Sequence, residues 1–176
     1  MPRVPVSHPV TATSPGRPIA RLLLELRVTG TGQAALGIAC LFVALAGTDI
    51  PRARAILPFI VAFVAVGAFS FYNARWLRDA PMPPAAPGVR VEERSLTIRR
   101  TLITLVLPLI AVGVVSFLSI GLAVVLGGIL AGVGAVDLRN FVWVRAREGT
   151  TQDAIYRELG RSPFSGGKRP LYTRPI

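Results

Sequence analysis

One stretch limits what this chain can become. The 36 residues from Thr101 to Val136 contain no charged side chain, with Arg99 and Arg100 before them and Asp137 and Arg139 after. As a single helix this run would be about 54 Å long, against a hydrocarbon core of roughly 30 Å. Tilt alone would have to reach roughly 55°, outside the usual range of about 0–40°. Two spans near 101–118 and 120–137, joined by a tight turn at Ser119-Ile120-Gly121, fit a bilayer better.

Two further uncharged runs precede it, Val28 to Thr48 and Ala55 to Ala74, separated by a turn that holds Asp49, Pro51, Arg52 and Arg54. Pro58 falls in the first turns of the second span, where a proline costs little because the N–H it removes has no helical partner. Pro108 lies deeper in the third span and is expected to kink it. The mean hydropathy of +0.55, with only 16% charged residues, suits a bundle with polar flanks. The predicted fold is therefore an all-α membrane protein, four transmembrane helices arranged as two helical hairpins, with short amphipathic helices at the interface.

The flanks divide the chain. Residues 1–18 carry five prolines and read as a disordered tail. Residues 19–79 join an amphipathic helix, near 18–28, to the first hairpin. In it Ile19, Leu22, Leu23 and Leu26 share one face, while Arg17, Arg21 and Glu25 form a polar stripe. Residues 80–100 form a proline-rich, then charged, cytoplasmic loop that is expected to be stiff and extended. Residues 101–147 make the second hairpin. In residues 148–176, a basic tail, Thr150 and Asp153 resemble a helix N-cap with its acidic partner, which predicts a short helix over 151–159. The last sixteen residues are basic and turn-rich, and are read as disordered.

Arginine and lysine set the orientation. The N-terminal tail, the central loop and the C-terminal tail hold four, six and eight of the 20 basic residues, leaving Arg52 and Arg54 for the other side. The positive-inside rule then places both termini in the cytoplasm and the chain in the inner (plasma) membrane. Of the basic residues 19 are arginine, which with abundant Ala, Gly and Pro fits a GC-rich bacterial genome. The net charge of +11 sits beside apolar spans, so it points to anionic lipid headgroups and not to nucleic acid.

The segment Gly67 to Arg78 can be laid on Gly134 to Arg145 with five identities, among them Asn73/Asn140, Trp76/Trp143 and Arg78/Arg145. Two accounts fit equally. One is a tandem duplication of the hairpin; the other is generic anchoring, since Trp at the interface and Arg just inside it recur at cytoplasmic helix ends. On either account Trp76, Arg78, Trp143 and Arg145, with Arg99 and Arg100, are the interfacial anchors. Gly127, Gly128, Ala131, Gly132 and Ala135 form rows of small residues that let helices approach, within the bundle or in a homo-oligomer.

Several chemistries are excluded. The chain has one cysteine, Cys40, and one histidine, His8, so neither a zinc site nor a histidine-held haem nor a serine–histidine triad can be assembled. No glycine-rich loop followed by Lys and Ser/Thr is present to cradle a nucleotide phosphate. No catalytic residue, cofactor or metal ligand is assigned. None of the nine carboxylates falls in the middle third of a span, where proton relays place them. Glu25 is expected at headgroup level paired with Arg21, and Asp137 at the interface. The resulting expectation is a non-enzymatic protein that acts by association, through its basic cytoplasmic segments, with a protein partner or anionic lipid. The alternative is a small oligomeric channel or transporter subunit lined by span four with Ser116 and Ser119.

Overall fold

The computed structural model describes residues 17–47, 51–159 and 169–176. Residues 1–16 of the tail expected over 1–18, Asp49 of the first turn and residues 160–168 lie outside the described residues. Along the chain run β1 (Ile19–Arg21), α1 (Leu22–Gly47), α2 (Arg52–Asn73), α3 (Trp76–Asp79), α4 (Arg94–Leu118), α5 (Ile120–Thr151), β2 (Asp153–Glu158) and β3 (Leu171–Pro175). Four helices are long and apolar enough to cross a membrane. Ser119 alone separates α4 from α5: its backbone is extended, and its hydroxyl accepts from Leu122 N at 3.4 Å to cap the new helix. The helices α2 and α4 continue through Pro58 and Pro108.

Packing does not follow chain order. The helix α5 is the axis; α1 packs along it most extensively and α2 next, whereas α1 and α2 touch only lightly. The sequence explains why. Glycine and alanine on α5 remove the side chains that would hold neighbours off, and backbones close in. A Cβ at Gly134 would lie 2.6 Å from Ala34 N, and one at Gly127 2.7 Å from Cys40 Cβ, both on α1. On the opposite row a Cβ at Gly132 would lie 2.7 Å from Phe63 O of α2, and Gly128 is pressed against Phe59 and Ala62. The lipid-facing sides are apolar: Phe42, Leu57, Val61, Leu107 and Phe117 are exposed.

Two expectations of an all-α chain are corrected. The segment read as an amphipathic helix near 18–28 begins as strand β1, held extended after Pro18, and turns helical at Leu22 without a break before the first span. The segment read as a helix over 151–159 is strand β2. Thr150 does not cap a new helix, because its hydroxyl donates back to Ala146 O (3.0 Å) and α5 simply continues to Thr151. Gln152 then takes a left-handed conformation (φ 59°), its N–H returning to Glu148 O, which ends the helix and releases the chain as a strand. Part of the tail read as disordered is β3. The strands form one antiparallel sheet in the order β1-β2-β3.

The proline-rich loop is extended but not a free linker. It runs along both outer edges of the sheet: Ala85 N donates to Thr173 O (2.9 Å) and Thr173 N to Pro83 O (3.0 Å) on one side, and on the other Ile19 N donates to Arg90 O and Glu92 N to Ile19 O. Both sheet edges are thereby closed by a segment rich in residues that cannot themselves propagate a ladder. The sheet caps the ends of α1, α4 and α5 over a core of Leu22, Leu26, Leu77, Val144, Ile155 and Leu171.

The close approach along α5 predicts a sharp contrast. Gly132→Leu or Gly134→Leu should destabilise the bundle by about 1–3 kcal/mol or more, read as a lower unfolding temperature in detergent. Gly113→Leu, whose Cβ would meet open space, should leave it within about 0.5 kcal/mol.

Candidate functional site

The polar chemistry of the described residues gathers where α1, α4 and α5 meet the sheet. At its centre is Glu25, in the first turn of α1 and 4% exposed. The arginine Arg100 of α4 donates to its Oε1, and Arg157 of β2 lies 2.6 Å from its Oε2 as an ion pair not aligned for a hydrogen bond. The same Arg100 reaches Glu92 Oε2 (3.2 Å), which also accepts from Thr97 Oγ1 at 2.7 Å. The expected Glu25–Arg21 pair is replaced: Arg21 goes to Glu148 (3.3 Å), whose other oxygen accepts from Ile155 N at 2.8 Å. Sequence spacing offered Arg21 one turn away, but Glu25 points inward toward α4 and β2, whose arginines are distant in the chain.

Glu148 and Glu158 serve the same end. Glu148, 4% exposed near the end of α5, holds β1 through Arg21 and β2 through Ile155. Glu158 on β2 pairs with Arg17 (2.9 Å) and accepts from Tyr172 Oη (3.3 Å) on β3. Burial pushes the Tyr172 phenol above its usual range, and the Glu158 carboxylate beside it adds to the rise. Burial also lowers Arg169, with Arg157 nearby reinforcing the effect.

Beside this network lies a groove of about 410 Å³ between α1, α4, α5 and β2. Arg21, Arg27, Arg94 and Arg145 line it, with Leu23, Leu24 and Phe141 as apolar wall. Glu92 and Thr97 belong both to the groove and to the ion-pair network, so the two share a wall.

The residues singled out in the sequence are distributed as follows. Arg145 lines the groove, Arg100 enters the buried network, and Arg99 is exposed beside a smaller hollow with Leu96 and Ile103. Trp76 packs against the cap core. Arg78 lies over the Phe71 and Trp143 rings (5.9 and 6.0 Å), Arg147 over Trp143 (5.3 Å) and Arg139 over Phe71 (4.1 Å). Gly127, Gly128, Ala131 and Gly132 lie in the helix contacts of α5, and Ala135 on the same helix is half-buried. Along this row the small residues meet α1 and α2 and not open space. Ser116 donates to Val112 O (2.7 Å) and Ser119 caps α5. Among the described residues no group of three or more His, Cys, Asp or Glu could hold a metal ion.

Arg157, Glu92, Thr97 and Glu148 escaped the sequence reading. A helix over 151–159 would have put Arg157 on a solvated face; the strand turns it toward Glu25. Glu148 follows Arg147 in sequence, and nothing local links it to Arg21 or Ile155. The one available signal was Glu25, a carboxylate at the threshold of a span, which required a cationic partner somewhere.

Comparison with protein-family models, with curated proteins and with solved structures finds no match to this chain.

Removing one member of a buried charge network leaves the others unpaired. Glu25→Ala should therefore cost about 3 kcal/mol or more, whereas Arg17→Gln, which breaks a pair whose arginine is half-exposed, should cost less than about 1 kcal/mol. Thermal unfolding of the two variants in detergent checks the contrast. The raised Tyr172 pKa has a definite sign: the folded state holds the phenol proton more tightly than the unfolded state does. The contribution of Tyr172 to stability should be constant below about pH 10 and fall as pH rises from there through the higher folded value, a loss that Tyr172→Phe should remove.

Proposed function

We propose that this chain is a non-enzymatic, multi-pass protein of the inner (plasma) membrane that acts by association, with its sheet-capped end and both termini in the cytoplasm. The observation that supports this most is the segregation of charge. Every described arginine except Arg52 and Arg54 belongs to the end built from β1, β2, β3, the 80–93 loop and the adjoining helix turns. Such asymmetry is what the positive-inside rule demands of a cytoplasmic face. An anionic leaflet attracts a basic surface at about 1 kcal/mol per arginine close to it, so this end is suited to hold anionic lipid or an acidic partner.

The basis for association is the cap and its groove. Residues 171–175 are woven into the sheet, with Leu171 and Tyr172 buried. They are a structural strand, which moves the associating surface from a free tail to the arginine-lined face. Among the described residues Glu25 is held by two arginines and Glu148 by Arg21 and a backbone N–H, which favours a structural role for both over a catalytic one. A homo-oligomer, formed through the exposed faces of α2 and α4, remains compatible with this architecture.

Orientation is directly measurable. Cys40 is buried against Gly127, so introduced cysteines report with little background. A membrane-impermeant maleimide should label Arg54→Cys in intact cells and Arg90→Cys only after permeabilisation. The reverse pattern would turn the basic end outward and remove the reading.

A further inference from the structure

We infer that the groove between α1, α4, α5 and β2 is a binding site for the phosphate headgroup of an anionic phospholipid, gripped by Arg27, Arg94 and Arg145. The inference deepens the proposed association and rests on that reading for the identity of the surrounding membrane.

Charge balance is the first argument. Four arginines line the groove against one carboxylate, Glu92, and the Oε2 of that carboxylate already accepts from Thr97 (2.7 Å) and Arg100 (3.2 Å). Arg21 is shared with Glu148. Among the described residues Arg27, Arg94 and Arg145 have no acidic partner. The segments outside the described residues contain one acid, Asp49. Three positive charges thus line a cavity of about 410 Å³ without an ion-pair partner among the described residues. Arginine's planar fork suits a phosphate, donating two parallel N–H bonds to two oxygens.

Depth and lining identify the source of the phosphate. Arg27 immediately precedes the uncharged run from Val28, and Arg94 opens the helix that carries the run from Thr101. That is the level at which headgroups sit when the apolar runs occupy the hydrocarbon core. Beside Thr97, the rest of the wall is Leu23, Leu24, Val91, Phe141 and Tyr156, mostly apolar. A free phosphate gains nothing from such surface, whereas a lipid can lay its glycerol and upper acyl carbons against it. Glu92, which accepts from Thr97, also anchors Arg100, and through it Glu25. A headgroup in the groove therefore braces the same contacts that hold α4 to α1, and binding should stabilise the cap.

The test uses the full chain purified in a neutral detergent, with lipid retention read by native mass spectrometry and stability by thermal unfolding. Phosphatidylglycerol should be retained and should raise the unfolding temperature, and phosphatidylcholine should do neither. The variant R27Q/R94Q/R145Q should weaken retention roughly a hundredfold, at about a factor of five per arginine, and the single variant R145Q about fivefold. R52Q/R54Q, at the opposite end, should bind as the parent does. Equal retention of the two lipids, or retention unchanged in both R145Q and the triple variant, would overturn the assignment. Soluble glycerol phosphate that competes as well as the lipid would assign the groove to a free phosphate ester and overturn the lipid occupant. Detergent abolishes sidedness, so these outcomes are independent of the orientation measured in cells.

Discussion

Everything in this structure depends on how closely backbones can approach α5. In a bilayer the tails are as apolar as the side chains, so burying leucine between helices gains little, and association must come from contact density. Small residues supply it. With glycine or alanine on two rows, α5 accepts α1 on one side and α2 on the other, and the chain acquires an axis that its connectivity does not suggest. The weakly packed pair is α1 with α2, consecutive in sequence. The strongly packed pair is α1 with α5, first and last of the spans.

That arrangement brings the start of α1 and the end of α5 to the same place, and the polar architecture follows. α5 spans 32 residues, about 48 Å, so it outruns a hydrocarbon core of roughly 30 Å by some three turns. The overhang carries Val144 and Glu148 out of the apolar zone, where β1 and β2 can build on them. Buried ion pairs such as Glu25 with Arg100 and Arg157 add little net stability, because desolvation offsets most of the attraction. What they add here is selectivity of docking: a helix, a second helix and a strand, remote in sequence, meet at one carboxylate, and any other docking would leave a charge unpaired.

The cap also separates three kinds of arginine. Arg100 and Arg157 are committed to carboxylates and hold the fold together, and Arg78, Arg139 and Arg147 lie over aromatic rings. Arg27, Arg94 and Arg145 are left around a cavity. A composition that reads as a uniform topology signal thus resolves into structural, aromatic-stacked and unspent groups.

Sequence and structure divide along the range of the forces involved. The four apolar helices, the break at Ser119 and the concentration of arginine at one end were legible because they follow from local composition measured against a bilayer of known thickness. The strand at 153–158 was not. Ile155 and Leu159 fit a helical face as well as a strand, and the threonine that resembled an N-cap was the last turn of the preceding helix. What made that segment a strand is pairing with β1, some 130 residues earlier, and with β3. Glu25 was recognisable as a costly carboxylate, but its partners lie on α4 and β2, and no spacing rule could select them. By itself, then, the sequence determined that the chain forms four helices long and apolar enough to cross a membrane and which end carries the charge, because hydropathy acts residue by residue. Tertiary structure alone decided that α5 is the axis, that a sheet seals the charged end and which arginines remain free, because those outcomes depend on contacts between segments that the chain order keeps apart.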